Sequence, residues 1–160
     1  MENLIADRFD KPFPHIIFHN FYNEKELELI WEELDFYTKE DKLFESKEFG
    51  GIDDATNSKA IWLDKVYKEQ YRKLSNILTV NRKIFNEEVL NAFASIHDCC
   101  SIAVHSNYDV TKIRYYHNGD YYKPHTDRNV QFLAFSYFFR EPKRFTGGEL
   151  IFPKYDYKFS

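Results

Sequence analysis

From residue 99 onward the chain carries no 3.6-residue apolar repeat. It breaks instead into short aromatic and β-branched runs: "CSIAVHSNY", "TKIRYYH", "YYKPHTD", "VQFLAFSYFF" and "GGELIFP". Runs of this length, bounded by turn signals, read as strands. Asn118-Gly119 fits a tight turn joining two of them, and Gly147-Gly148 serves the next connection. The whole chain holds 16 Phe and 12 Tyr in 160 residues. Aromatic side chains suit a pleated, half-buried surface, so the composition leans the same way.

The first half follows the other period. Residues 14–21, "PHIIFHNF", open as a strand. Asn23 then caps a helix, with Glu26 as its reciprocal partner, and Leu27, Ile30, Trp31 and Leu34 form one apolar stripe. Residues 49–58, "FGGIDDATNS", read as a loop, and 48–59 are a candidate substrate loop. A second helix is expected to carry Leu63, Val66, Tyr67, Tyr71, Leu74 and Leu78 on one face. A third, near 85–97, carries Val89, Leu90 and Phe93. The expected class is α+β, with helices packed on one face of a largely antiparallel sheet. The length suits a single domain over 1–160, made of an N-terminal strand and supporting helices (1–98) and the sheet strands (99–160).

A net charge of −4 and a pI near 5.9 argue against nucleic-acid binding, which needs a basic face. The run 132–139 is interrupted by Ser136 and is too short to span a membrane. Residues 1–10 lack an apolar core after a basic start, so no secretory signal is expected. Cys99 and Cys100 are adjacent, which is no disulfide framework. They read as two small buried residues in a strand, in a reducing cytoplasm.

The chemistry concentrates in "YYHNGDYYKPHTD", residues 115–127. On a strand, residues i and i+2 point the same way, so His125 and Asp127 share one space. A surface strand with an ion pair to Lys123 or Arg128 would need nothing more. An imidazole and a carboxylate also suit a divalent metal. Two His and one carboxylate on one side of an ion form the site of non-haem Fe(II) oxygenases.

The wider pattern is Tyr116, Gly119, Tyr122, Pro124, His125 and Asp127, then an aromatic strand, then Gly147-Gly148-Glu149-Leu150 and Phe152-Pro153. It resembles the Fe(II)/2-oxoglutarate-dependent dioxygenases, within them the prolyl 4-hydroxylase-like branch. The opening "PFPHIIFHNFYNEKELELI" is similar to that branch's usual start. The resemblance implies a double-stranded β-helix, a jelly roll. It implies His125 and Asp127 as the first two Fe(II) ligands and Tyr116 as a hydrogen-bond donor to 2-oxoglutarate. It also implies O₂ as oxidant, ascorbate as accessory reductant, and hydroxylation of a peptidyl (prolyl-type) or free amino-acid substrate. Tyr121 and Tyr122 could line the entrance, one of them pointing outward. Glu149 reads as structural.

The family's third ligand is a later His, followed by an Arg or Lys that anchors the far carboxylate of 2-oxoglutarate. No His follows His125 in this sequence. His15, His19, His97, His105 and His117 precede it and read as structural. A jelly roll takes about eight strands, and four are countable, around Ile113, His125, Phe135 and Leu150. The sequence therefore reads as the N-terminal portion of a longer chain that carries the remaining strands, the third ligand and the anchor. Two rivals stand beside the oxygenase: a catalytically degenerate jelly-roll binding module, and a subunit whose sheet a partner chain completes by strand addition.

Overall fold

The computed structural model describes residues 4–39, 41–46, 56–126 and 133–159. The fold is α+β, as the periodicities predict. Its elements in order are β1 (Ile5–Phe9), β2 (His15–His19), α1 (Glu24–Lys39), β3 (Phe44–Glu45), β4 (Thr56–Asn57), β5 (Lys59–Trp62), α2 (Leu63–Val66), α3 (Asn76–Asn81), α4 (Glu87–Ala94), β6 (Lys112–Tyr115), β7 (Tyr121–Tyr122), β8 (Leu150–Phe152) and β9 (Tyr157–Phe159). Tighter 3₁₀ turns fill Glu69–Leu74, Arg82–Phe85, Asp98–His105 and Pro153–Tyr155.

The single large sheet expected from the sequence is replaced by small antiparallel ones. β1 pairs with β2, β4 with β7, β8 with β9, and β3-β5-β6 form a three-stranded sheet. β5 is the central strand of that sheet, and alternation gives its two faces different jobs. Ile61 and its cross-strand partner Ile113 face a core formed by Ile30 and Tyr37 of α1 and Ile77, Leu78 and Val80 of α3. Ala60 and its partner Arg114 face the other way. A second core gathers Val89 and Phe93 of α4, Ala103, Phe18 and Phe21.

α1 starts as predicted. The Asn23 side chain accepts from the Glu26 amide at 3.0 Å, and the Glu26 carboxylate accepts from the Asn23 amide at 2.8 Å. This reciprocal box satisfies two of the amides that a helix start leaves without partners. α4 also lies where the stripe places it, with Val89, Leu90 and Phe93 buried.

The continuous helix expected over 63–78 is instead interrupted. Ser75 is extended, and its hydroxyl accepts from the Leu78 amide, starting α3 afresh. The same hydroxyl donates to the buried carboxylate of Glu33, at 2.8 Å to Oε1. Glu33 Oε2 also accepts from the Ile77 amide at 2.7 Å. A carboxylate at a helix start is favoured by free amides and the helix dipole. This long-range clamp between α1 and α3 outweighs the local stripe, and it leaves Tyr71 and Leu74 exposed.

Two other expectations fail, and one strand was not anticipated. Residues 99–105 form a 3₁₀ turn rather than a strand, because Cys100 and Ala103 bury their side chains at a three-residue spacing. His97 caps that turn by accepting from the Cys99 amide, and Cys99 itself is exposed. Residues 133–140 hold no strand. This segment is pinned across α1 by single side chains: Phe138 against Tyr22 and Trp31, and Arg140 over the Trp31 ring at 3.9 Å with an ion pair to Asp35 at 2.7 Å. β1 lies on residues whose side chains are all exposed, so no apolar alternation announced it.

Burial pushes the Glu33 carboxyl above its usual range, against the pull of the Ile77 amide and the Ser75 hydroxyl. A raised folded pKa contributes stability below the unfolded value and loses it as pH rises through the folded one. The melting temperature of the parent should therefore fall relative to that of Glu33→Gln as pH rises through the carboxyl range. A difference independent of pH would contradict this reading of the clamp.

Candidate functional site

The site face of the sheet is built by register. Thr56 pairs with Tyr122 and Ala60 with Arg114, so Thr56, Ser58, Ala60, Arg114 and Tyr122 share one face. Tyr121 pairs with Asn57 and takes the opposite face, which settles which of the two adjacent tyrosines points away.

The strand 56–62 pairs first with β7 and then with β6, antiparallel to both. β6 and β7 therefore run in the same direction, end to end, and do not form the hairpin expected across Asn118-Gly119. One residue on the continuous side, Ser58, faces five on the other, 116–120. The turn is real: the Asp120 amide donates to the His117 carbonyl at 3.1 Å, and Asp120 Oδ2 accepts from the His117 amide at 2.7 Å. A hairpin-forming primed turn of this kind needs positive φ at both central residues. Here only Gly119 has it, at +86°. The loop is thus an excursion from one strand, a large relative of a β-bulge.

Tyr116 is the first residue of this excursion, just past the end of β6 rather than within it. Its ring is about half exposed (45%). Partial burial pushes its phenol above the ordinary tyrosine range, against the pull of the Arg114 guanidinium; Tyr137, Tyr122 and Asp120 add to the upward shift. The phenol therefore stays protonated, a hydrogen-bond donor. His117 turns to the Tyr115 ring, 4.7 Å between centroids, with Nδ1 3.4 Å from Asp120.

His125 lies three residues beyond β7, outside any strand. Its Nδ1 is 2.8 Å from the Lys123 carbonyl, an atom that can only accept. Nδ1 is therefore the donor in this contact, and Nε2 is the nitrogen through which a metal would be bound. The ring stacks on Tyr122 at 4.1 Å. Asp127, the second predicted ligand, lies outside the described residues, as does most of the candidate substrate loop over 48–59. Among the described residues no group of three His, Cys, Asp or Glu is placed to hold a metal ion. The described residues thus supply one candidate protein ligand of an iron site, His125.

Three of the other histidines have local partners or caps. His15 Nδ1 donates to the Phe13 carbonyl, and its ring stacks on Phe9. His19 meets Asp7 at 2.8 Å, and His97 caps the 3₁₀ turn. The glycine pair behaves as predicted: Gly147 and Gly148 both have positive φ immediately before β8. Glu149 is half-buried beside this turn.

Sequence reasoning missed the cluster around Arg114. Arg114 Nη1 donates to Thr56 Oγ1 at 2.7 Å, Ser58 Oγ at 2.8 Å and Ser46 Oγ at 3.2 Å. All three hydroxyls are buried. They also bond one another, Ser46 to Ser58 at 2.8 Å and Thr56 to Ser58 at 3.0 Å. The guanidinium lies over the Tyr122 ring at 4.1 Å. Arg114 and His125 thus both rest on Tyr122 at van der Waals distance, which puts them on opposite faces of that ring. The missed signal was Thr56-x-Ser58-x-Ala60: small and hydroxylated residues alternating on one strand, with room for a long cation above them.

Comparison with known proteins finds no family model, no curated protein and no solved structure that matches this chain. No helix among the described residues is long and apolar enough to cross a membrane.

Gly119 holds the excursion open, and a Cβ there would meet nothing within 4 Å. The cost of Gly119→Ala is therefore backbone strain alone, about 1–2 kcal/mol. Denaturant unfolding should show that loss, and Gly119→Asn should lose less. An unchanged midpoint for Gly119→Ala would mean that the positive φ is not required.

Proposed function

We propose that the chain is an Fe(II)- and 2-oxoglutarate-dependent dioxygenase of the prolyl 4-hydroxylase-like kind, built on a jelly-roll core, which hydroxylates an amino-acid or peptidyl substrate. The observation that carries this reading is the orientation of His125. Its Nδ1 is committed to a backbone carbonyl, so a metal would be taken by Nε2, two residues before Asp127 in the sequence. His125 and Asp127 would hold the iron, leaving the remaining positions for the oxo acid, O₂ and a further donor. Bound iron supplies the activation of O₂, with 2-oxoglutarate oxidised to succinate and CO₂ while a substrate C–H becomes C–OH.

The protein's own residues have narrower tasks. Tyr116, kept protonated by partial burial, donates to the oxo acid. Tyr122 stacks on the His125 ring and limits its rotation. The excursion over 116–120 brings these groups to one end of the sheet.

A second reading rests on a different observation. Leu133, Phe135, Tyr137 and Phe139 are all exposed, as is Ile151 of β8. Exposed apolar residues alternating along the sequence suit pairing with added strands, so the chain could serve as a binding module or subunit completed by another chain. Ligand binding indifferent to iron chelators would favour it.

The test is succinate formation from 2-oxoglutarate with added Fe(II). His125→Ala and Asp127→Ala should each abolish it. Tyr116→Phe should raise the KM for 2-oxoglutarate about tenfold, the scale of one charge-assisted hydrogen bond. Iron affinity should fall as pH drops below the imidazole range, because the ligating nitrogen must be unprotonated. An Asp127→Ala variant that turns over 2-oxoglutarate like the parent contradicts the assignment.

A further inference from the structure

Arg114 is a half-buried cation whose partners are all neutral. Nη1 takes the three buried hydroxyls, and the guanidinium plane rests on Tyr122. Among the described residues no carboxylate lies within ion-pair distance of it. The other arginines of the fold's interior contrast with this: Arg72 bonds both Asp64 and Asp109. Hydroxyls satisfy hydrogen bonds but cancel no charge. A guanidinium partly withdrawn from water therefore retains a strong preference for an anion.

The contacts also fix its orientation. Three hydroxyls sharing the two hydrogens of one nitrogen, and a ring beneath the plane, hold the group still, while Nε and Nη2 make none of these contacts. An Arg held this way presents a planar edge with two parallel N–H donors, which matches a carboxylate in a bidentate pair. Tyr116 follows β6 two residues later and offers a protonated phenol. Lys112, on the same strand, rests over Trp62 at 4.7 Å.

The geometry points to Arg114 as a carboxylate-binding residue, its Nε–Nη2 edge taking the carboxylate of a small organic acid on the face shared with Thr56, Ser58 and Tyr122. No sequence motif assigned this role. The inference deepens the oxygenase reading by naming an anchor for an acid, but it needs no metal and stands without His125 or Asp127. The carboxylate has two possible sources: the far end of the oxo-acid cosubstrate, or the carboxylate of a free amino-acid substrate.

The experiment is done on metal-free protein treated with a chelator, so that failure of the iron assignment does not affect it. Succinate, 2-oxoglutarate, free proline and the neutral diamide succinamide are titrated by calorimetry against the parent, Arg114→Gln and Arg114→Lys. Succinate and 2-oxoglutarate should bind the parent and succinamide should not. Arg114→Gln should weaken acid binding at least about tenfold, and Arg114→Lys should fall between, retaining charge without the planar edge. If proline is the acid whose affinity depends on Arg114, the role holds and the source is the substrate. The proposal is overturned if no acid binds, if Arg114→Gln binds acids as the parent does, or if succinamide binds as well as succinate. Should Arg114→Gln fail to fold, the succinate–succinamide comparison in the parent and the Arg114→Lys value decide the matter.

Discussion

The arrangement of the site depends on one pairing: the strand 56–62 lies antiparallel to two collinear segments, β7 and β6, with Ser58 opposite the five residues 116–120. Because side chains alternate along a strand, this register assigns every nearby group to a face. Ile61 and Ile113 go to the helical core, and Ala60, Ser58, Thr56, Arg114 and Tyr122 go to the other side. A slip of one residue would send Arg114 into the apolar cluster and Ile113 into water. The apolar cost of that exchange locks the polar face in place. The looped-out residues then carry Tyr116 and the turn that leads to Tyr122 and His125.

The helical layer holds the opposite face by a polar device. Glu33 reaches from α1 to the start of α3, accepting from the Ser75 hydroxyl and the Ile77 amide. The site face uses a related logic with the charge reversed: a guanidinium seated on three hydroxyls. In both, a charged group sits among neutral donors or acceptors. Glu33 has spent its oxygens on α3, whereas Nε and Nη2 of Arg114 take no part in the contacts with those hydroxyls. This difference separates a fold-stabilising contact from a candidate binding group.

Much of the architecture was legible where the signal is local. Asn23 and Glu26 are three residues apart and bond each other, so the start of α1 could be read directly. Val89, Leu90 and Phe93 gave α4, and Gly147-Gly148 gave the connection into β8. The misreadings occur where a distant partner decides. Ser75 breaks the 63–78 stripe because Glu33, far away in sequence, binds it. Asn118-Gly119 resembles a hairpin turn, but Asn118 does not take the left-handed conformation, and both flanking segments find a better partner in 56–62. The aromatic run 133–140 has strand composition, yet Phe138 and Arg140 tie it to Trp31 and Asp35 of α1. At the candidate site, spacing and resemblance proposed His125 and Tyr116. The Arg114 cluster was not legible, since its hydroxyls come from Ser46, Thr56 and Ser58, more than fifty residues earlier.

The central claim is that His125 presents Nε2 to an Fe(II) that 2-oxoglutarate also chelates. Anaerobic titration of the protein with Fe(II) and 2-oxoglutarate tests it directly, because a 2-oxo acid chelated to Fe(II) produces a visible charge-transfer band. The account predicts a saturable band in the parent that His125→Ala removes and that succinate, lacking the keto group, cannot produce. A parent protein that shows no band at saturating metal and oxo acid, or a band of equal strength in His125→Ala, would contradict it.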